Sequence, residues 1–284
     1  MATSTSPAQG GRTLRDLSGT IVLLGAGKMG GALLEGWLAL GLDPRSVVAI
    51  EPAPTRELSA LGGRGLRLNP ALNMLGEAAA IVIAVKPQIA PEAVPLLAPC
   101  LGPATVVVSI MAGRTLGFLE RVLPQRAAVV RAMPNTPAAI GHGITVAVPN
   151  VKVSQRQREL VHALLSATGA VEWIADEALM DAVTAVSGSG PAYVFLLAET
   201  LAQAGAAAGL PADLAARLAR ATVAGSGELL ARSPLDPAML RQNVTSPGGT
   251  TAAALELLMA PEGLGALMEN AVAAATRRSR ELAG

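Results

Sequence analysis

The chain is poor in the residues that build crosslinks, metal centres and stacking surfaces. It has one cysteine, Cys100, so no disulfide can form within the chain and no CxxC metal spacing exists. Its two histidines, His142 and His162, are too few for a catalytic metal site built mainly from histidine. Each is expected as a surface or satisfied structural residue. Aromatic residues make up only 2%, and the formal net charge of +1 leaves neither a basic stripe nor an acidic tail, so no nucleic-acid partner is expected. A clean membrane span is missing too. The most apolar long stretch, 94–113, is interrupted by Pro95, Pro99, Gly102 and Pro103, which would break a spanning helix. Residues 1–18 lack the apolar core of a secretory signal and read as a flexible tail, with the cytoplasm as the expected compartment.

What remains is rich in small and branched apolar residues. The hydrophobic fraction is 51% against 15% charged, enough for a sizeable core of Ala, Val, Leu, Ile and Met. A length of 284 residues suits two ordinary domains. The first half alternates short apolar runs with helix-like segments. Strands are expected at 20–24, 47–50, 80–85, 105–110, 127–131 and 144–148, and helices at 28–40 and 55–61. Continuous apolar runs mark strands buried on both faces, and strand–helix alternation implies a parallel sheet with right-handed crossovers. After about residue 175 the strands stop. Ala/Leu-rich helical segments run through 190–208, 212–231, 250–259 and 263–282, broken at Pro211, Pro234, Pro247 and Pro261. The expected fold class is therefore α/β: a dinucleotide-binding domain over 19–175, then an all-helical domain over 176–284. The helices are apolar on too many faces for one small domain to cover, so burial against a second copy is expected.

The first strand runs into Gly25-Ala26-Gly27-Lys28-Met29-Gly30, a GxGxxG string that follows a strand and opens a helix. Gly25 would allow the sharp turn, Gly27 the backbone's approach to a pyrophosphate, and Gly30 close helix–strand packing. The free amides at the helix start would meet the phosphates. The second strand ends in Glu51, where a carboxylate bonds a ribose 2′-hydroxyl, which by that rule favours NAD(H). Arg56, five residues on, could instead meet a 2′-phosphate. The third strong strand leads into Ala84-Val85-Lys86-Pro87, at the carboxyl end of the sheet, where such folds place the cofactor crevice.

Three further strings stand out: 131–137 (RAMPNTP), 186–193 (VSGSGPAY) and 243–251 (NVTSPGGTT). In the last, Gly248 and Gly249 free the backbone ahead of a helix and Thr250 and Thr251 add hydroxyls, a fit receptor for a small carboxylate. Ser187 and Ser189 do not make a hydrolase nucleophile: the first glycine of a GxSxG elbow is missing, and no histidine follows in triad order. They are expected to cap the helix beginning at Pro191.

Together with 84–87, these strings make the chain similar to the pyrroline-5-carboxylate reductase family over roughly residues 20–280. The resemblance implies a Rossmann-like domain followed by a helical dimerisation domain, with homodimers that can assemble into decamers and an active site where the two domains meet. It implies NADP(H) as cofactor, in tension with Glu51. It places the substrate carboxylate on the backbone of Ser246 through Thr251, Thr251 as the catalytic hydroxyl near the ring nitrogen, and Glu177 near the substrate pocket. Ile110, Met111 and Ala112 would line the cofactor through their backbone, and Asn135 would sit on its nicotinamide side. Two other readings are open at this stage. A hydroxyacid dehydrogenase needs a general base, commonly lysine, and no lysine follows Lys152. A non-catalytic dinucleotide sensor would have no need of the loop at 246–251.

Overall fold

The computed structural model describes residues 14–283. By contacts the chain divides into two units. One runs through to Gly188 and takes back the chain's end from Ser279; the other is Ser189–Arg278.

The first unit is an eight-stranded sheet. β1 (Ile21–Leu24) leads into α1 (Lys28–Ala39), then β2 (Val47–Ile50), α2 (Arg56–Ala60) and the two-residue β3 (Arg67–Leu68). β4 (Ala80–Ile83), α3 (Ala90–Ala93), β5 (Val106–Ser109), α4 (Leu116–Val122) and β6 (Ala128–Met133) follow. β7 (Gly143–Pro149), α5 (Gln155–Leu165), β8 (Gly169–Trp173) and the short α6 (Met180–Val183) complete it. The strand order is β3-β2-β1-β4-β5-β6-β7-β8. The chain thus starts in the middle and reverses direction between β1 and β4, the topological switch point where doubly wound sheets bind ligands.

All pairings are parallel except β6 with β7. The expected parallel sheet is interrupted at that pair for a simple reason. Residues 134–142 hold only a 3₁₀ turn, Thr136–Ile140, and no crossover helix, so the chain must return antiparallel.

β1, β2, β4, β5 and β6 each feed two cores. Ile21 and Leu23 face one layer with Leu33, Leu34, Trp37 and Leu164; Val22 and Leu24 face the other with Val94, Leu97 and Leu119. Burial on both faces explains why the strands read as continuous apolar runs. Each Val, Leu or Ile so buried contributes about 1.5–3 kcal/mol. Trp37 is fully buried, and its Nε1 donates to the Leu164 carbonyl at 2.8 Å, tying α1 to the end of α5.

Several expectations need correction. Residues 1–13 of the expected flexible tail lie outside the described residues, but 14–18 are not loose: Leu14 is buried in the core and its amide donates to the Leu40 carbonyl. The helix expected over 55–61 runs past Leu61. It continues as a 3₁₀ turn, Leu61–Arg64, and ends at Gly65, whose φ of 98° supplies the left-handed cap. The serines of 187–189 cap nothing. The segment Thr184–Gly188 is a π-helical turn, Ser187 Oγ donates to the Val183 carbonyl, and Ser189 makes no capping bond to the helix that follows.

The second unit is helical throughout. α7 (Gly190–Ala207) packs on α8 (Ala212–Arg232), followed by α9 (Pro237–Asn243), α10 (Thr250–Leu258) and α11 (Leu264–Ala283). The α7–α8 approach is close because small residues meet there. A Cβ on Gly205 would lie 3.3 Å from that of buried Ala215. Large apolar side chains on this unit stay exposed in the single chain, among them Phe195, Leu196, Leu229 and Leu257. α11 ends in the first unit, where Ser279 Oγ donates to Asp181 Oδ1 at 2.7 Å.

Candidate functional site

The glycine-rich turn assigns each glycine a separate task. Gly25 has a φ of 90°, and a Cβ there would sit 2.8 Å from the Ala84 carbonyl oxygen. A Cβ on Gly30 would lie 2.1 Å from the Gly25 carbonyl oxygen, so the first turn of α1 packs against the strand end with no room for a side chain. A Cβ on Gly27 would meet nothing within 4 Å. The chain's own packing therefore does not require glycine at 27; an open surface for another molecule's close approach does. Gly27 is also the N-cap of α1, with no side-chain cap and no acidic residue in the first turn. The amides of Lys28, Met29 and Gly30 thus begin a 12-residue helix without a side-chain acceptor, an arrangement suited to a phosphate. These residues fit a dinucleotide.

Glu51 follows β2, and the structure turns its carboxylate inward. Oε2 accepts from the Ala26 amide at 2.9 Å and Oε1 from the Ala53 amide at 3.1 Å. Asn69, at a φ of 49°, holds the Glu51 backbone on both sides: its Oδ1 accepts from the Glu51 amide and its Nδ2 donates to the Glu51 carbonyl. Glu51 therefore braces the glycine loop, which weakens the argument from sequence that it simply reads a 2′-hydroxyl. Arg56 opens α2 with an exposed side chain, after Thr55 has capped that helix by accepting from the Leu58 amide.

The loops after β4 and β5 flank this turn. Ala84 still donates to the Leu24 carbonyl, Val85 and Pro87 are half-buried, and Lys86 is exposed. Ile110 and Met111 bury their side chains, so only their backbone can face a ligand, while Ala112 is exposed. The two loops are tied by Arg114, which sequence reading did not single out. Its Nε and Nη2 both donate to the Pro87 carbonyl, at 3.0 and 2.7 Å, and its guanidinium lies 4.5 Å over the Phe118 ring. Asn135 sits at the end of β6, and its Oδ1 accepts from the Ile144 amide at 2.9 Å, closing the β6–β7 connection.

Glu177, expected near the substrate pocket, is paired within the first unit. Its Oε1 accepts from Arg131 Nη1 and from the Leu116 amide, both at 2.8 Å. Arg131 is buried in β6, with a side chain only 6% exposed, and Glu177 supplies its counter-charge. The pair joins β6 to the first turn of α4. Cys100 is equally structural: burial pushes its thiol up, and its Sγ lies 3.6 Å from the Leu72 carbonyl.

In the second unit, Ser246 through Thr251 form a tight entry to α10. The Gly249 amide donates to the Ser246 carbonyl at 3.0 Å, and Gly248 takes a φ of 66°. Gly249 is the N-cap of α10 and provides no side-chain cap, so Thr250 and Thr251 begin a nine-residue helix whose first amides lack a side-chain acceptor. Among the described residues, no group of three or more His, Cys, Asp or Glu side chains could hold a metal ion, and no helix is long and apolar enough to cross a membrane.

A doubly wound sheet in the order 3-2-1-4-5-6, a glycine turn at its switch point and a separate helical unit define a Rossmann-type dinucleotide-binding protein. Comparison with known proteins narrows the class. Residues 177–282 match the family model for pyrroline-5-carboxylate reductase dimerisation, and residues 20–113 that for NADP oxidoreductase, coenzyme F420-dependent. A pyrroline-5-carboxylate reductase of Pseudomonas aeruginosa is 41% identical over 264 residues, covering 93% of this chain and 96% of that one. The solved structure of a pyrroline-5-carboxylate reductase from Coxiella burnetii is 31% identical with a TM-score of 0.86, covering 94% of this chain and 99% of that one. A Plasmodium falciparum pyrroline carboxylate reductase, solved with NADP bound, is 30% identical with a TM-score of 0.78, over 94% of this chain and 99% of that one. The chain belongs to the pyrroline-5-carboxylate reductase family.

Proposed function

We propose that this chain reduces the cyclic imine 1-pyrroline-5-carboxylate to proline with NADPH, in the cytoplasm, as a homodimer that assembles further into a decamer. One observation carries the reading. α2, α4, α5 and α9 begin at Thr55, Thr115, Ser154 and Asp236, each of which caps its own helix. α1 and α10 begin instead at glycine, with no side-chain cap, and each is entered from a glycine turn. Each of these two glycine-entered starts offers its first amides to an anion: a pyrophosphate at Gly25–Gly30 and a carboxylate at Ser246–Thr251.

When bound, the reduced nicotinamide supplies a hydride to the imine carbon. The protein's task is then to bind, orient and exclude water. The amides at 246–251 fix the substrate carboxylate. Thr251, or a water it positions, hydrogen-bonds at the ring nitrogen; with the imine protonated, the hydroxyl oxygen accepts from the ring N–H while carbon accepts hydride. No general base is required, in keeping with a helical unit that has no lysine. Arg56 is free to meet a 2′-phosphate while Glu51 is held against Ala26 and Ala53. The NADP in the Plasmodium relative supports the phosphorylated cofactor. Glu177 supports the reaction from a distance, by holding Arg131 and α4.

The test is direct. Purified protein is mixed with the imine, and absorbance is followed with NADPH and NADH in parallel. Oxidation with proline as product, faster with NADPH, is expected. Thr251→Ala is expected to lower kcat by about tenfold, the scale of one hydrogen bond lost at a reacting atom. Folded protein that binds the dinucleotide but oxidises neither form would overturn the reading, and an unchanged kcat in Thr251→Ala would remove Thr251 from it.

A further inference from the structure

The geometry points to Arg114 as a positioning residue for the dinucleotide, a clamp that holds together the two loops at the carboxyl ends of β4 and β5; this rests on the dinucleotide reading of Gly25–Gly30. The loops at Ala84–Pro87 and Ile110–Ala112 are brought together by neighbouring parallel strands, but strand pairing stops short of them. The β4–β5 register runs from Ala80–Val106 to Ile83–Ser109, with one further backbone bond from the Ile110 amide to the Ile83 carbonyl. Beyond that point, Arg114 joins the two segments: its Nε and Nη2 converge on the one carbonyl of Pro87.

The clamp is built in from three sides. Gly113, at a φ of 71°, turns the chain immediately before Arg114, and a Cβ there would lie 3.2 Å from the Leu282 carbonyl oxygen, so a residue with a side chain would be strained at 113. The guanidinium face rests on Phe118 at 4.5 Å, which fixes its plane. Thr115 then caps α4 by accepting from the Phe118 amide, so the ring beneath the guanidinium belongs to an anchored helix. Pro87 has no amide hydrogen, which leaves its carbonyl as its only backbone hydrogen-bonding group. A planar fork with two donors defines the direction of that carbonyl in a way one ammonium cannot. With the fork in place, the backbone of 84–87 and that of 110–112 are held at fixed separation. A dinucleotide laid across the switch point would meet both segments, whereas the carboxylate receptor at 246–251 shares no residue with either.

The experiment compares wild type with Arg114→Met and Arg114→Lys. NADPH affinity is measured by fluorescence titration without substrate, alongside thermal melting and steady-state kinetics. Arg114→Met keeps side-chain length and contact with Phe118 but loses both bonds. It is expected to weaken NADPH binding about tenfold, the scale of a charge-assisted hydrogen bond. Melting is expected to stay within about 2 °C of wild type. The KM for the imine at saturating cofactor should hold, and kcat should change less than the cofactor KM. Arg114→Lys, with a single donor point, should recover part of the affinity. Unchanged NADPH affinity in Arg114→Met would overturn the inference. So would a loss of affinity matched by a large drop in melting temperature, or an equal rise in both KM values, since either marks a general structural role. Because the titration needs no turnover, it reads the clamp even in a protein that fails to reduce the imine; a wild type that binds no dinucleotide would overturn both readings.

Discussion

Gly27 and Gly30 sit three residues apart in one motif and answer to different physics. At Gly30 the neighbour is backbone, the Gly25 carbonyl oxygen at 2.1 Å from an added Cβ, and it cannot step aside without moving the strand end. Gly30→Ala is expected to destabilise the fold by about 1–3 kcal/mol, as overpacking does, despite alanine's better helix propensity. At Gly27 there is open space, and its φ of −67° is one that any residue adopts. Gly27→Ala is therefore expected to leave folding within about 1 kcal/mol of wild type, the range of a poorer N-cap. It should weaken dinucleotide binding at least about tenfold, because the Cβ would stand where the phosphates approach. Chemical denaturation and an NADPH titration on both variants separate the two effects. Equal losses of stability, or a Gly27→Ala variant that binds as well as wild type, would show that the division of labour is wrong. Glu51 makes the opposite lesson about residues. Its place after β2 is readable from the sequence, but its carboxylate is held by the Ala26 amide, twenty-five positions back, and its backbone by Asn69, eighteen positions on, both reached only through the fold.

Among the elements, the Glu177–Arg131 pair does the joining that backbone bonds cannot. It connects β6, the first turn of α4 and the 3₁₀ turn Glu177–Leu179. Removing one partner of a fully buried pair costs about 3–5 kcal/mol. Glu177 is 28% exposed, so Glu177→Ala is expected to cost less, about 2 kcal/mol after solvent screening. Glu177→Gln retains an acceptor for the Leu116 amide and should recover part of that loss. Urea unfolding with an unchanged m-value would measure both; a Glu177→Ala variant within about 0.5 kcal/mol of wild type would mean the pair is ornamental. The pairing also marks the limit of legibility. The strands of the central sheet were readable because burial on both faces leaves a continuous apolar run, as in Val47–Ile50 and Val106–Ser109. β3 and β8 were not: one is two residues long, and the other alternates between half-buried and exposed positions at an edge. The antiparallel turn to β7 hung on the length of a connection, and the π-helical turn at 184–188 gives no periodic signal. Of the candidate site, the glycine turns were visible as spacing. Arg114 was not, since its partner Pro87 lies 27 residues back and nothing local marks the contact.

For the molecule as a whole, the second unit poses the question of what covers it. α7 presents Phe195 at 67% and Leu196 at 57% exposure, and α10 presents Leu257 at 77%. Each large apolar side chain removed from water stabilises an association by about 1.5–3 kcal/mol, and a few such contacts on each copy meet the cost of holding two chains together. The dimerisation model that matches residues 177–282 spans these same helices. Sedimentation at micromolar concentration should accordingly give at least twice the 28.6 kDa of one chain. The mass should not fall between low and high salt, because apolar burial is not screened as ion pairs are. Phe195→Glu places a charge on the exposed face of α7 and should lower the assembled mass. The same variant should still bind NADPH, because Gly25–Gly30 lie in the other unit. A single-chain mass for the wild type at both salt concentrations would leave the apolar face unexplained. Loss of NADPH binding in Phe195→Glu would instead show that assembly shapes the cofactor turn itself.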